Sequence, residues 1–116
     1  MARGDVLLVE LPPPPSGAGH EQAGRRPAIA VQADLPSANL PTLMIVPLTG
    51  QLDALRFPYT IRVEPSDVNG LTQPSVLLVF QLRAIDRRRI LGTIGRLEQE
   101  YLDQLDNEMR RMLSLG

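Results

Sequence analysis

The only side chain in this 116-residue chain that titrates near neutrality by its nature is His20. It sits in a polar, glycine-rich loop, Ser16–Gly24, beside Glu21 and Gln22, where a general acid or base would have water and room to move. The loop follows Pro12-Pro13-Pro14-Pro15 and exceeds ten residues, a length that in a small domain often serves function. Just after it, Arg26 precedes Pro27, and a residue before proline is pushed to extended geometry, so its guanidinium projects from a defined backbone. Thr49 ends an aliphatic run immediately before Gly50, where a hydroxyl can meet a ligand or simply make a turn. Taken singly, each has an ordinary structural reading: a loop histidine, an Arg–carboxylate pair, a turn threonine.

Composition removes whole classes of chemistry. With no Cys there is no disulfide framework, no thiolate nucleophile and no Cys-ligated metal, and a single His excludes a multi-His centre. All 12 basic residues are Arg against 13 acids, giving a net charge of −1, which argues against a general nucleic-acid coat. The distribution is uneven, however. Residues 98–116 carry five acids and two Arg, so the rest is net positive, with Arg83, Arg87, Arg88 and Arg89 closely grouped. No apolar stretch nears the roughly 20 residues that span a bilayer, and the first residues lack the apolar run of a secretion signal. The expectation is a single soluble, cytoplasmic domain over residues 1–116.

The elements that must position these groups follow from the apolar pattern. Asp5–Leu11, Pro27–Gln32, Thr42–Leu48, Tyr59–Val63, Ser75–Phe80 and a run near Ile90–Arg96 read as strands, with Arg26 at the mouth of the second. Pro47 implies an edge or a bulge in the third, and Ser75–Phe80 should be the most buried. Asn69-Gly70 marks a turn, and Asp86–Arg89 a helical one. From about Glu98 to Ser114 the period turns helical, with Tyr101, Leu102, Leu105, Met109, Met112 and Leu113 on one face. The predicted fold is mainly β with a C-terminal helix, a small SH3-like antiparallel barrel.

Five blocks in order resemble the MazF/PemK family of toxin endoribonucleases: Arg3-Gly4-Asp5-Val6, Gly19-His20-Glu21-Gln22-Ala23-Gly24-Arg25-Arg26-Pro27, Pro47-Leu48-Thr49, Gln81-Leu82-Arg83-Ala84-Ile85-Asp86 and Ile94-Gly95-Arg96-Leu97. The resemblance spans nearly the whole chain. It implies a CcdB/PemK-type barrel that cleaves single-stranded RNA at short motifs without metal or other cofactor. The 2′-hydroxyl would attack its own phosphate and leave 2′,3′-cyclic phosphate and 5′-hydroxyl ends. Arg26 matches the family's catalytic arginine, a fork that clamps phosphate oxygens as charge develops, and Thr49 its catalytic threonine. His20 would transfer a proton or contact a base; Glu21 would act as a base or anchor the loop, and Gln22 would hold the loop. Gln81 and Arg83 would position RNA or brace a dimer, and Gln51 would contact bases. The resemblance also implies a homodimer, and an antitoxin whose acidic, disordered tail covers the RNA groove.

One departure stands out. Leu78 and Phe80 occupy positions where family members carry an arginine and an acid, so any base must come from His20, Glu21 or elsewhere. Phe80 would either enter the core or stack on a base. Loss of that acid keeps open a second reading, a CcdB-like toxin that binds a protein such as gyrase. A plain SH3-like peptide-binding module fits poorly, since its groove is aromatic and this chain has only two Phe and two Tyr.

Overall fold

The computed structural model describes residues 2–12, 24–33 and 39–116. Among them, β1 (Asp5–Leu11), β2 (Gly24–Ala30), β3 (Thr42–Thr49), β4 (Thr60–Val63), β5 (Ser75–Leu78), β6 (Arg83–Asp86) and β7 (Ile90–Arg96) precede one helix, α1 (Gln99–Leu113). The strands pair in the order β4-β5-β3-β2-β1-β7, with β6 also paired to β3, and every pairing is antiparallel. The expected antiparallel, barrel-like sheet with a terminal helix is therefore present, although β4 and β7 do not close it.

Strand side chains alternate between faces, and here both faces are buried. Val6, Ile29, Val46 and Leu48 join a core with Leu77, Leu102 and Leu105, so α1 packs on that side. Leu7, Val9, Leu11, Ala28, Ala30, Leu43, Ile45 and Ile85 make the core of the other face. Aliphatic side chains do all of this work, each contributing about 1.5–3 kcal/mol on full burial. α1 buries Leu102 and Leu105 and half-buries Tyr101, Met109 and Met112. Leu113, placed on the same face by period, is instead exposed, because it ends the last turn just before the left-handed Ser114.

Three readings change. β2 begins at Gly24, so Arg25 and Arg26 lie inside the strand and pair with Glu10 and Val9 of β1. Pro27 is tolerated there because β3 joins β2 only from Ala28 onward. Pro47 sits in a central strand rather than at an edge: β3 pairs β6 through Thr42–Ile45 and β5 through Leu48–Thr49, and the gap between those ladders accommodates a residue without an N–H. β5 stops at Leu78, after which Val79–Gln81 form a 3-10 turn that swings Phe80 off the strand.

The block around Gly4 is a structural clamp. Gly4, at φ +96°, donates its N–H to Ala30 O (2.7 Å) and accepts from Leu97 N–H (2.8 Å), and a Cβ there would lie 3.0 Å from Leu102 Cδ1. Arg3 pairs with Asp106 of α1 and donates to Val31 O (3.1 Å), and Arg96 donates to Asp5 (3.1 Å). The start of β1 thus ties α1 and β7 to the centre of the sheet.

Candidate active site

Thr49 ends β3 and is 3% exposed. Its Oγ1 accepts a hydrogen bond from the Gln51 N–H (3.2 Å), so the turn-making role read from the sequence is realised. A hydroxyl that accepts one bond keeps its own proton to donate. Thr49 also borders a cleft of about 180 Å³ shared with Gln51, Asp53, Arg56, Phe80 and Gln81. The cleft forms because β3 and β5 are paired (Leu48 with Leu77, Thr49 with Val76) and both run directly into short turns. The turn after β3 is the 3-10 segment Leu52–Arg56; the one after β5 is Val79–Gln81.

An aromatic wall fixes one side. The rings of Phe57 and Phe80 lie 5.4 Å apart at 60°, and the Arg56 guanidinium sits 4.5 Å over the Phe57 ring. Arg56 is held in turn by Asp53 (3.0 Å). Tilted aromatic pairs at this spacing contribute about 0.5–1.5 kcal/mol beyond burial. Phe80 is half-buried at the cleft and outside both core clusters, whereas Leu78 is buried at its floor.

Gln81 and Arg83 belong to the same surface. A second cleft of about 420 Å³, lined by Phe80, Gln81, Leu82, Arg83 and Ala84, adjoins the first across Phe80 and Gln81. Arg26 approaches from β2. The last β2–β3 pair at that end is Ala28 with Pro47, and Arg26 and Thr49 stand two residues further along their strands, on the same face. Arg26 is exposed there. Arg25, on the opposite face, forms a surface pair with Glu10 (3.3 Å). His20, Glu21 and Gln22 lie outside the described residues. The structure thus brings Thr49, Gln51 and Gln81 to one cleft, places Arg83 in the adjoining one, and sets Arg26 on the face of Thr49 by strand register.

Sequence reasoning missed Asp53 and Arg56 as cleft residues. The available signal was an acid and a base three residues apart, just after Thr49-Gly50, which pair on one side of a helical turn.

The PemK-like, MazF-like toxin family of type II toxin–antitoxin systems matches residues 2–113. The chain belongs to that family. As a MazF-like toxin it is an endoribonuclease of the class its curated relatives represent. It is 31% identical over 113 residues to Endoribonuclease EndoA of Bacillus subtilis, covering 97% of this chain and 94% of that protein. It is also 31% identical over 116 residues to Endoribonuclease MazF of Staphylococcus saprophyticus, covering 100% of this chain and 92% of that one. The fold matches the crystal structure of MazF from Deinococcus radiodurans with a TM-score of 0.79 at 23% identity, over 98% of this chain and 96% of that one.

Away from the Thr49 cleft, this MazF-like toxin carries one strongly shifted carboxyl among the described residues. Arg88 holds Asp86 well below its ordinary 3.8, at about 2, first through side-chain hydrogen bonds (3.1 and 2.9 Å) and then through its backbone N–H (2.8 Å). A depressed carboxyl stabilises the fold above its unfolded value, and the contribution fades as pH falls from 3.8 through about 2. The expected NMR titration of the Asp86 carboxyl has its midpoint near 2, and Arg88→Ala moves it back up toward 3.8. A wild-type midpoint at the ordinary value would contradict the pair.

Proposed function

We propose that this toxin acts as one domain in the cytoplasm and cleaves single-stranded RNA without a metal, in the groove that begins at Thr49. The observation that carries the reading is the strand register, which sets Arg26 two residues beyond the last β2–β3 pair on the face of Thr49, itself at a cleft with Gln51 and Gln81. Backbone chemistry then follows from the RNA itself. The 2′-oxygen attacks the adjacent phosphorus, its proton passes to a base, and the P–O5′ bond breaks as O5′ takes a proton. The products are a 2′,3′-cyclic phosphate and a 5′-hydroxyl.

Arg26 is the phosphate clamp in this reading. Its planar fork meets two non-bridging oxygens at once, and the interaction strengthens as charge builds in the transition state. Thr49 donates its hydroxyl proton to the same phosphate. With Leu78 and Phe80 where an arginine and an acid would stand, proton transfer falls to His20 and Glu21. Gln51 and Gln81 reach base edges with paired donor and acceptor groups, and Gln22 steadies the loop. The exposed face of Phe80, braced by Phe57, offers a stacking surface, a contribution of about 1–3 kcal/mol per base.

Partners follow from the same surface. MazF of Deinococcus radiodurans has a crystal structure with MazE, and an endoribonuclease from a mycobacterial species has a structure in complex with its cognate antitoxin. By analogy this toxin works as a homodimer and is silenced by an antitoxin whose acidic, disordered tail folds onto the groove.

The test is incubation of purified protein with a long unstructured RNA in EDTA, followed by mapping of the ends. Discrete cuts bearing cyclic phosphate and 5′-hydroxyl termini are expected. Intact RNA from a folded protein would overturn the ribonuclease mechanism and favour a binder of a protein target.

A further inference from the structure

Of the arginine cluster read from the sequence, Arg83 borders the cleft that adjoins Thr49's, whereas Arg87, Arg88 and Arg89 have no part in the cleavage reading and follow it on the same stretch of chain. We propose that Arg83, Arg87, Arg88 and Arg89 form a phosphate-binding track that leads the RNA backbone out of the cleavage cleft along β6. The proposal rests on the RNA reading above and extends it to nucleotides that are not cut.

The placement comes first. One stretch of chain, residues 80–89, borders three clefts in succession. Phe80 and Gln81 border the Thr49 cleft, Phe80 to Ala84 the adjoining one, and Asp86, Arg88 and Arg89 a third of about 250 Å³. β6 carries this line beside β3, with Arg83 opposite Ile45 and Asp86 opposite Thr42, away from the Thr49 end. At about 3.3 Å per residue, the path from Thr49 to Thr42 is roughly 23 Å. That leaves room for several nucleotides beyond the scissile phosphate.

Charge points the same way. Residues 83–89 hold four Arg and one Asp, net +3, within a chain whose total is −1. A concentrated positive stripe in a near-neutral protein draws a polyanion to that stripe and not to the whole surface. All four cations are arginine, whose planar fork matches phosphate oxygens in pairs.

The heads are also held in position. Asp86 grips Arg88 through Nε and Nη2 (3.1 and 2.9 Å), yet the Arg88 side chain remains 90% exposed. Its remaining N–H groups therefore face water. Arg87 donates from Nε to Leu40 O (2.6 Å), which ties it to the start of β3. Side chains fixed before binding lose less conformational freedom when a ligand arrives. An acidic protein tail would also meet this charge. RNA is favoured because the stripe lies on the same ten-residue stretch that borders the cut-site cleft, and an RNA backbone presents a phosphate at every nucleotide along that distance.

The experiment uses the full-length protein and two uncleavable 2′-O-methyl oligonucleotides. One has 20 nucleotides centred on a mapped cut site; the other has only the five around it. Each is titrated by fluorescence anisotropy at several salt concentrations against wild type and Arg88→Ala/Arg89→Ala. The double variant is expected to weaken the 20-mer about tenfold at moderate salt and leave the 5-mer within twofold. The slope of log K against log salt for the 20-mer should fall by about 1.4, since each single-strand phosphate contact contributes roughly 0.7. Thermal melting confirms that the variant is folded, and Arg88→Ala alone, which removes half of the pair, should give about half the change in slope.

Equal weakening of both lengths, or an unchanged 20-mer slope, would overturn the track and leave the cleavage reading standing. An acidic peptide whose binding needs Arg88 and Arg89 while the 20-mer does not would assign the stripe to a protein partner instead. Wild-type protein that binds neither oligonucleotide would sink both readings together.

Discussion

Arg26→Ala is expected to lower the cleavage rate by about 10²–10³-fold, the usual cost of removing one preorganised donor from a developing oxyanion. The loss should fall on kcat more than on KM. An interaction that strengthens as the phosphorane forms lowers the barrier without holding the ground state equally well. Arg26→Lys should recover only part of the rate, because a point charge cannot span two oxygens as the guanidinium does. Folding should be little affected, since Arg26 is exposed on a strand whose backbone is paired to β1. The measurement is single-turnover cleavage of a short RNA in EDTA, beside thermal melting of each variant. A rate within a factor of a few of wild type would remove Arg26 from the reaction and return it to surface charge. Its alignment with Thr49 would then be a consequence of strand register alone.

The parts of the fold legible in the sequence were those with a period. β1 and β3 read as strands because aliphatic residues fill both faces, and α1 because its apolar residues recur every three or four positions. β6 was missed, since Arg83–Asp86 is four residues long and exists only through its pairing with Thr42–Ile45. The start of β2 was misplaced for a related reason. Gly24 and Pro27 discourage a strand locally, while β1 supplies a partner as far as Leu11 opposite Gly24. Of the site, Arg26 and Thr49 stand out as motif residues. The aromatic wall does not: Phe57 and Phe80 meet because paired strands end in adjacent turns. Nothing in a local pattern records that encounter. By sequence Phe80, after four apolar residues, suits either the core or a stacking surface, and the 3-10 turn at Val79–Gln81 is what brings it to the cleft.

Asn69→Ala should destabilise the protein by about 3 kcal/mol, within the range for orphaning several buried polar groups at once. Asn69 is 0% exposed, and its amide is fully used. Nδ2 donates to Glu64 O (3.0 Å) and Glu98 Oε1 (3.1 Å), while Oδ1 accepts from the N–H groups of Ser66 and Leu71 (both 3.0 Å). Ser66 closes the network by donating its hydroxyl to Glu98 Oε2 (2.8 Å). Glu98, which by sequence should only favour the helix dipole, thus joins the Asn69 turn to the start of α1. The turn cannot relax outward to rescue these groups. Gly70, at φ +72°, passes so close to β7 that a Cβ would lie 2.0 Å from the Ile94 carbonyl oxygen. For a chain of this size the loss corresponds to a fall in Tm of roughly 10 °C, read by calorimetry. Cleavage measured well below that temperature should persist, because Glu64, Ser66, Leu71 and Glu98 lie outside the cleft-lining residues around Thr49. A variant with unchanged Tm would mean that water replaces the amide. A variant that melts normally but cannot cut RNA would instead place this turn in the reaction, against the geometry.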